Sequence, residues 1–290
     1  MLGDDDEWFT EICRECGTAF SLRSLEKLHD EQTPYQHLEV YQTEKFGNLM
    51  VLDGFIMLTQ RDNFLYHEMV AHPALFTHPD PRHVVIVGGG DCGTLREVLR
   101  HPSVQTAHQV EIDERVTRIS ERYFPELCES NDDPRAELVF EDAVAWIQNA
   151  EPGSLDVIIV DSTDPIGPAE GLFAEPFFRE CHRALGPEGI LVQQSESPLL
   201  HWESIIKPMQ GGMRAAGFEQ LDLFHFPQPV YPSGWWSATM ALKNAQRCHF
   251  REQDARAKPF ATRYYNADIH QAAKVQPEFL KGSDQGESPL

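Results

Sequence analysis

The sequence predicts an α/β protein, a doubly wound sheet preceded by a small antiparallel β domain. Three observations carry this. Before about residue 70 short apolar runs are separated by turn residues, whereas after it apolar runs alternate with segments of helix length. One of those runs, Val84-Val85-Ile86-Val87, opens directly into a glycine-rich turn and then a helical stretch, the layout of a Rossmann-like first crossover.

Within residues 38–59, Val40, Leu49, Val51, Phe55, Ile56 and Leu58 fall in runs broken at Phe46-Gly47-Asn48 and Asp53-Gly54. Asp-Gly between apolar runs is a hairpin signal. The later strands are expected at Val84–Val87, Ala107–Ile112, Glu137–Phe140, Val157–Val160, Ile190–Gln194, Leu221–Phe226 and Trp236–Leu242, with helices such as Thr94–Arg100 and Glu114–Phe124 between them. Only a Pro-rich loop, 227–234, joins the last two, too short for a parallel crossover, so they should pair antiparallel. The expected organisation is a β domain over 1–70, an α/β domain over 71–275 and a polar, frayed tail over 276–290.

At 290 residues the chain can bury a full core, and 41% hydrophobic residues exclude a disordered polymer. The formal net charge of −22 repels nucleic acid and anionic membranes and attracts cations. No run approaches the ~18 apolar residues of a membrane span. Nor does the Met-Leu-Gly-Asp-Asp-Asp-Glu start have the regions of a signal peptide, so a cytoplasmic protein with reduced thiols is expected. Among the six cysteines, Cys13-Arg14-Glu15-Cys16 has the spacing of half a zinc knuckle or a redox pair, but no second pair follows.

The turn Gly88-Gly89-Gly90-Asp91-Cys92-Gly93 is weak evidence alone, since a dinucleotide site or a purely architectural turn would share it. Glu111, about 20 residues further at the end of the second strand, can accept both hydrogen bonds of a ribose diol. Glu141-Asp142, ending the third strand, can reach an adenine amino group. Asp91 adds a sign. An S-adenosylmethionine methyltransferase would bring a carboxylate to this turn, and two such charges ~4 Å apart cost on the order of 4 kcal/mol at an effective dielectric of ~20. The turn therefore favours an ammonium. After the fourth strand, Asp161-Ser162-Thr163-Asp164-Pro165-Ile166-Gly167-Pro168 places two more carboxylates at the same crevice. An isolated Asp-Ser-Thr could be only a turn or helix cap, but several acids without a cation call for a charged ligand, such as a diamine.

Together with Thr33-Pro34-Tyr35-Gln36, Leu52-Asp53-Gly54, Tyr66-His67-Glu68-Met69, Val110-Glu111-Ile112-Asp113 and Tyr231-Pro232-Ser233-Gly234, these motifs resemble the polyamine aminopropyltransferases, the spermidine synthase family, over about residues 17–270. The resemblance implies a methyltransferase-type fold and transfer of the aminopropyl group of decarboxylated S-adenosylmethionine to putrescine, giving spermidine and 5′-methylthioadenosine. It implies no metal and no permanently bound cofactor, and a homodimer or homotetramer. By position, Gln36, Glu111, Asp142, Ala143 and Pro168 would hold the nucleoside, with Glu111 on the ribose. Asp91 would bind the aminopropyl ammonium, and Tyr66, His67, Ser162, Thr163, Asp164 and Tyr231 would line the diamine channel. Asp161 would accept the proton that the attacking amine must lose. Taken alone, His67, Tyr66 and Tyr231 read as core residues.

Two positions depart from the family pattern. Cys92 stands where glycine is common, and the expectation is that its backbone does not need positive φ. Ala143 also replaces a common glycine, which leaves a backbone contact to adenine there less secure than the Asp142 side chain. The rival readings are sister enzymes acting on spermidine, cadaverine or agmatine, an S-adenosylmethionine methyltransferase, and a non-catalytic polyamine-binding protein.

Overall fold

The computed structural model describes residues 7–14, 16–165 and 167–281, without the side chains at 167 and 168. The acidic start and most of the expected frayed tail lie outside the described residues. Among these residues, β1 (Trp8–Cys13), β2 (Thr18–Gln32), β3 (His37–Thr43), β4 (Gly47–Leu52) and β5 (Phe55–Thr59) form an antiparallel meander in chain order. The β4–β5 hairpin turns on Asp53 and Gly54, with φ of 50° and 87°, the left-handed pair that a two-residue turn requires. Sequence reading named no strand before residue 38. β1 and β2 were missed because their apolar residues do not keep to one face: Ile12 of β1 and Leu25 of β2 are exposed, while Phe9 and Leu22 pack inward.

The chain continues through α1 (Asn63–Leu75), β6 (His83–Gly88), α2 (Gly93–Leu99), β7 (Thr106–Val110), α3 (Glu114–Tyr123), β8 (Ala136–Val139), α4 (Ala143–Asn149) and β9 (Leu155–Asp161). Then follow α5 (Glu175–Ala184), β10 (Leu185–Gln194), α6 (Lys207–Ala216), β11 (Gln220–Pro227), β12 (Trp235–Leu242), α7 (Glu252–Arg256), α8 (Ala267–Ala272) and α9 (Glu278–Lys281). The strand order is β11-β12-β10-β9-β6-β7-β8, parallel except for β12, which runs antiparallel to both neighbours. This is the expected Rossmann-like sheet with the expected antiparallel final pair. Residue 70 lies inside α1, which is buried along nearly its whole length.

Period two explains the core. Val85, Val87, Ile158, Val160 and Leu191 pack on one face with Phe177, Phe178, Met209 and Met213 of α5 and α6, and Val84, Ile86, Val157, Ile159 and Val192 on the other with α1 and α2. The N-terminal sheet presses Leu38, Val40, Met50 and Leu58 onto Val116 and Ile119 of α3, while Leu49, Val51 and Ile56 meet Val230. That packing sets the N-terminal sheet beside the point where the strand order reverses, between β6 and β9, whose ends pair at Gly88 and Asp161. No helix among the described residues is long and apolar enough to cross a membrane.

Candidate active site

A cavity opens at this switch point, bounded by the carboxyl ends of β6, β7 and β9, the start of α4, α1 and the β4–β5 hairpin. Gly88 enters the turn at φ 79°, and a Cβ there would stand 2.4 Å from the Asp161 carbonyl oxygen, so only glycine allows the two strand ends to close. At the start of α2, a Cβ on Gly93 would fall 2.2 Å from the His67 ring. Its absence gives the imidazole a place between α1 and α2.

Cys92 corrects an expectation. It adopts φ 69°, ψ 3°, a left-handed conformation costing roughly 1–2 kcal/mol without glycine. The turn needs that geometry because the Cys92 N–H donates to the Gly89 carbonyl, 2.8 Å, as α2 begins. A fully buried sulfur that accepts from Gln109 Nε2 at 3.4 Å offsets part of the strain.

One end of the cavity presents groups suited to a nucleoside. Glu111 is buried and accepts the Asp113 N–H at 2.8 Å, and burial pushes its carboxyl up to about 7 despite that bond. Gln36 gives its amide to Asp113 Oδ2, 2.9 Å, leaving its carbonyl oxygen to meet a ligand. Asp113 itself caps α3. Asp142 caps α4, accepting the Val144 N–H at 2.8 Å with one oxygen, and Ala143 is the first residue of that helix. Both line the cavity. The side chain of Pro168 lies outside the described residues.

The other end is acidic. Asp161 is nearly fully buried, and its two oxygens accept from Tyr66 Oη at 2.7 Å and Thr94 Oγ1 at 2.6 Å. Burial, then the Asp91 charge, raises its pKa against those hydroxyls and His67. Asp91 accepts the Gly93 N–H at 2.6 Å and sits 3.1 Å from His67 Nε2. Burial by itself would lower the His67 pKa, but the carboxylates of Asp91 and Asp161 outweigh it and hold the imidazole above its ordinary value. Tyr231 donates to the Met57 carbonyl of β5 and its ring stands edge-on to Tyr66, centroids 6.1 Å apart. Ser162, Thr163 and Asp164 complete this wall.

Two acids here escaped the sequence reading. Glu11 of β1 is buried, accepts the Ile56 N–H at 2.7 Å, and is pushed up to about 7 by burial, with Asp164 adding to the shift. Glu196, just past β10, is buried beside Asp164 and accepts from Gln194 Nε2 at 3.0 Å. Burial, then Asp164, carries its pKa well above the carboxylate range. A signal for Glu11 existed: it shares the inward face of β1 with Phe9 and Cys13, and a carboxylate on the half-buried face of an alternating strand needs a reason. Thr94 was legible only as a helix residue.

Among the described residues that line the cavity and its continuation, His67 alone can carry positive charge. The arrangement lacks the cations that its carboxyls would need. Elsewhere, Asp30, His37 and Glu39 have ligand-like spacing on the N-terminal sheet, but the Lys27 ammonium already lies 2.7 Å and 2.6 Å from the two carboxylates.

Comparison with known proteins gives a consistent result. A family model described as the spermine/spermidine synthase domain matches residues 63–252, and one described as the spermidine synthase tetramerisation domain matches residues 7–60. The chain is 64% identical over 277 residues to a polyamine aminopropyltransferase of Thioalkalivibrio sulfidiphilus, covering 96% of this chain and 97% of that one. It is 62% identical to the polyamine aminopropyltransferase of Alkalilimnicola ehrlichii, with the same shares covered. Among solved structures, a spermidine synthase in complex with the transition-state analogue AdoDATO superposes with a TM-score of 0.91 at 32% identity, covering 96% of this chain and 94% of that one. Spermidine synthase from Thermotoga maritima gives 0.88 at 32% identity, covering 94% and 92%.

Proposed function

The chain belongs to the spermine/spermidine synthase family, and from that premise we propose that it moves the aminopropyl group of decarboxylated S-adenosylmethionine onto putrescine, with Asp161 accepting the amine proton. The reaction is aminopropyl transfer for spermidine synthesis. The observation that carries the substrate reading is the set of buried carboxyls, Glu11, Asp161 and Glu196, with Asp91 and Asp164 among them and no lysine or arginine on the cavity wall.

The nucleoside would lie against Gln36, Glu111, Asp142 and Ala143, with the Glu111 carboxylate on the ribose hydroxyls; Pro168 is proposed for the base on its position in the sequence. Asp91 would take the ammonium of the aminopropyl arm. The diamine would then run past Tyr66, His67, Ser162, Thr163 and Tyr231 to Asp164 and Glu11, which suit its far ammonium. In the chemical step the neutral amine nitrogen attacks the methylene next to the sulfonium, the carbon–sulfur bond breaks, and methylthioadenosine leaves as a neutral thioether. The amine arrives protonated, so a carboxylate must take one proton. Asp161 suits that role because burial and Asp91 raise its proton affinity while Tyr66 and Thr94 fix both oxygens. Most of the acceleration would come from holding nitrogen and methylene at attack distance.

The division expected from sequence is part of the same proposal: a β domain over 1–70, a catalytic domain over 71–275, and a tail over 276–290. A homodimer or homotetramer, with the N-terminal sheet in its contacts, agrees with the family model matched there, and a cytoplasmic location suits the substrates. The test is methylthioadenosine release from decarboxylated S-adenosylmethionine with putrescine, beside spermidine, cadaverine, agmatine, and intact S-adenosylmethionine as donor. Fastest release with putrescine and none from the intact donor is expected. Preference for another amine would reassign the acceptor, and no release with any amine would overturn aminopropyl transfer.

A further inference from the structure

The turn between β1 and β2 meets the segment that leaves β10. Cys16 Sγ lies 3.2 Å from His201 Nε2, and the other ring nitrogen, Nδ1, lies 3.5 Å from Glu196 Oε2. The Cys16 backbone N–H points at Cys13 Sγ, 3.2 Å away, so the Cys13 sulfur sits at the base of the Cys16 side chain. Both cysteines are half-buried in the single chain. Thiol, imidazole and carboxyl thus stand in line, with a second thiol three residues before the first.

We propose that Cys16 is a reactive thiol, activated by His201 and resolved by Cys13, and that closing a Cys13–Cys16 disulfide weakens the amine end of the cavity. The Cys16 proton passes to His201 Nε2. The resulting thiolate attacks one sulfur of a low-molecular-weight disulfide, whose S–S bond breaks and whose other half leaves as a thiolate. Cys13, its proton lost to solvent, attacks the Cys16 sulfur of this mixed disulfide and expels the second half. Two protein thiols are oxidised and one external disulfide is reduced to two thiols.

Two physical links run from this pair to the cavity. Cys13 and Glu11 are successive inward residues of β1, so a new bond at the strand end moves the strand that positions Glu11 beside Asp164. On the other side, His201 touches Glu196, whose carboxyl neighbours Asp164. Glu196 is held at φ 63°, a left-handed backbone conformation disfavoured for glutamate, so the segment carrying it has little freedom to absorb a change at His201. The effect on the amine end rests on the aminopropyl-transfer reading; the reactivity of Cys16 does not.

The test separates the two. Trypsin cuts after Arg14, between the cysteines, so a disulfide joins two tryptic peptides that otherwise separate. Treatment with glutathione disulfide is expected to yield that joined pair in the wild type and not in Cys16→Ser. Alkylation of Cys16 by iodoacetamide at neutral pH should slow on the order of tenfold in His201→Gln, as the thiolate fraction falls. In the oxidised wild type the KM for putrescine should rise several-fold, while Cys16→Ser treated alike keeps its untreated value. Equal alkylation rates, or no joined pair, would overturn the reactive thiol. A joined pair with unchanged putrescine kinetics would overturn the link to the amine end, and an enzyme that turns over no amine would fail the functional reading while the labelling result stood.

Discussion

The two ends of the cavity are built differently. The nucleoside end is framed mainly by consecutive strand ends of one sheet, and its acids also do structural work: Asp113 and Asp142 cap helices, and Glu111 holds the turn after β7. The amine end is assembled from both sheets, with Glu11 from β1, Tyr66 and His67 from α1, Asp161 and Asp164 at and after β9 and Tyr231 from the β11–β12 loop, and with Glu196 behind Asp164. Its buried acids are tied by backbone N–H groups, hydroxyls and an amide rather than by lysine or arginine. A neutral ligand portion can be met by groups that the fold already uses. A dication needs carboxyls kept in reserve at a cost in desolvation.

Substitutions should separate the two ends. The largest effect is expected for Asp161→Asn, which keeps the shape and can accept from one of the two hydroxyls but removes the proton acceptor. Its kcat should fall by about 10²–10⁴ while methylthioadenosine binding, read by calorimetry, stays near wild type; unchanged turnover would take Asp161 out of the chemistry. Glu111→Gln should act in the opposite sense, weakening nucleoside binding by about 10- to 100-fold, the worth of a charged hydrogen bond, with a smaller change in kcat. Glu11→Gln should raise the KM for putrescine by about tenfold and leave the nucleoside untouched, again from one charged contact; equal losses for both ligands would erase the distinction between the ends.

Folding raises the Glu11 and Glu111 pKa values from 4.5 to about 7, so each contributes stability that is fully present below about pH 4.5 and lost as pH rises through about 7. The ligand-free protein should therefore lose thermal stability across that window more steeply than the Glu11→Gln variant. A variant with the same slope would show that Glu11 is not held protonated. The smallest effect is expected for Cys92→Gly, where relief of the left-handed strain and loss of a buried sulfur oppose each other and leave a change in unfolding free energy below about 1 kcal/mol.

What could be read from the sequence follows the same division. The parallel strands, the Gly88–Gly93 turn, Glu111 and Asp142 are contiguous signals, each with its neighbours in sequence as its neighbours in space. The Asp161–Asp164 segment and the Tyr66-His67 pair were legible because each sits in a distinctive local frame. Glu196 was not, since the chain that covers it is the returning β12, and Glu11 left only the weak signal of its strand face, because its partner, Ile56 of β5, is distant in sequence. Cys92 was misread for a related reason. Its φ is set by the closure of the turn onto Gly89 and by a buried Gln109, neither of which its residue type announces.

On the proposed function, acids at the amine end hold protons when the site is empty and release them when a diamine arrives. Calorimetry of putrescine binding to the methylthioadenosine complex at about pH 7, in buffers of differing ionisation enthalpy, reads that exchange directly. Net proton release to the buffer is expected, reduced in Glu11→Gln and diminishing as the pH is raised above the elevated carboxyl pKa values. Binding with no proton release, or with equal release in Glu11→Gln, would show that these acids are not held protonated in the empty site.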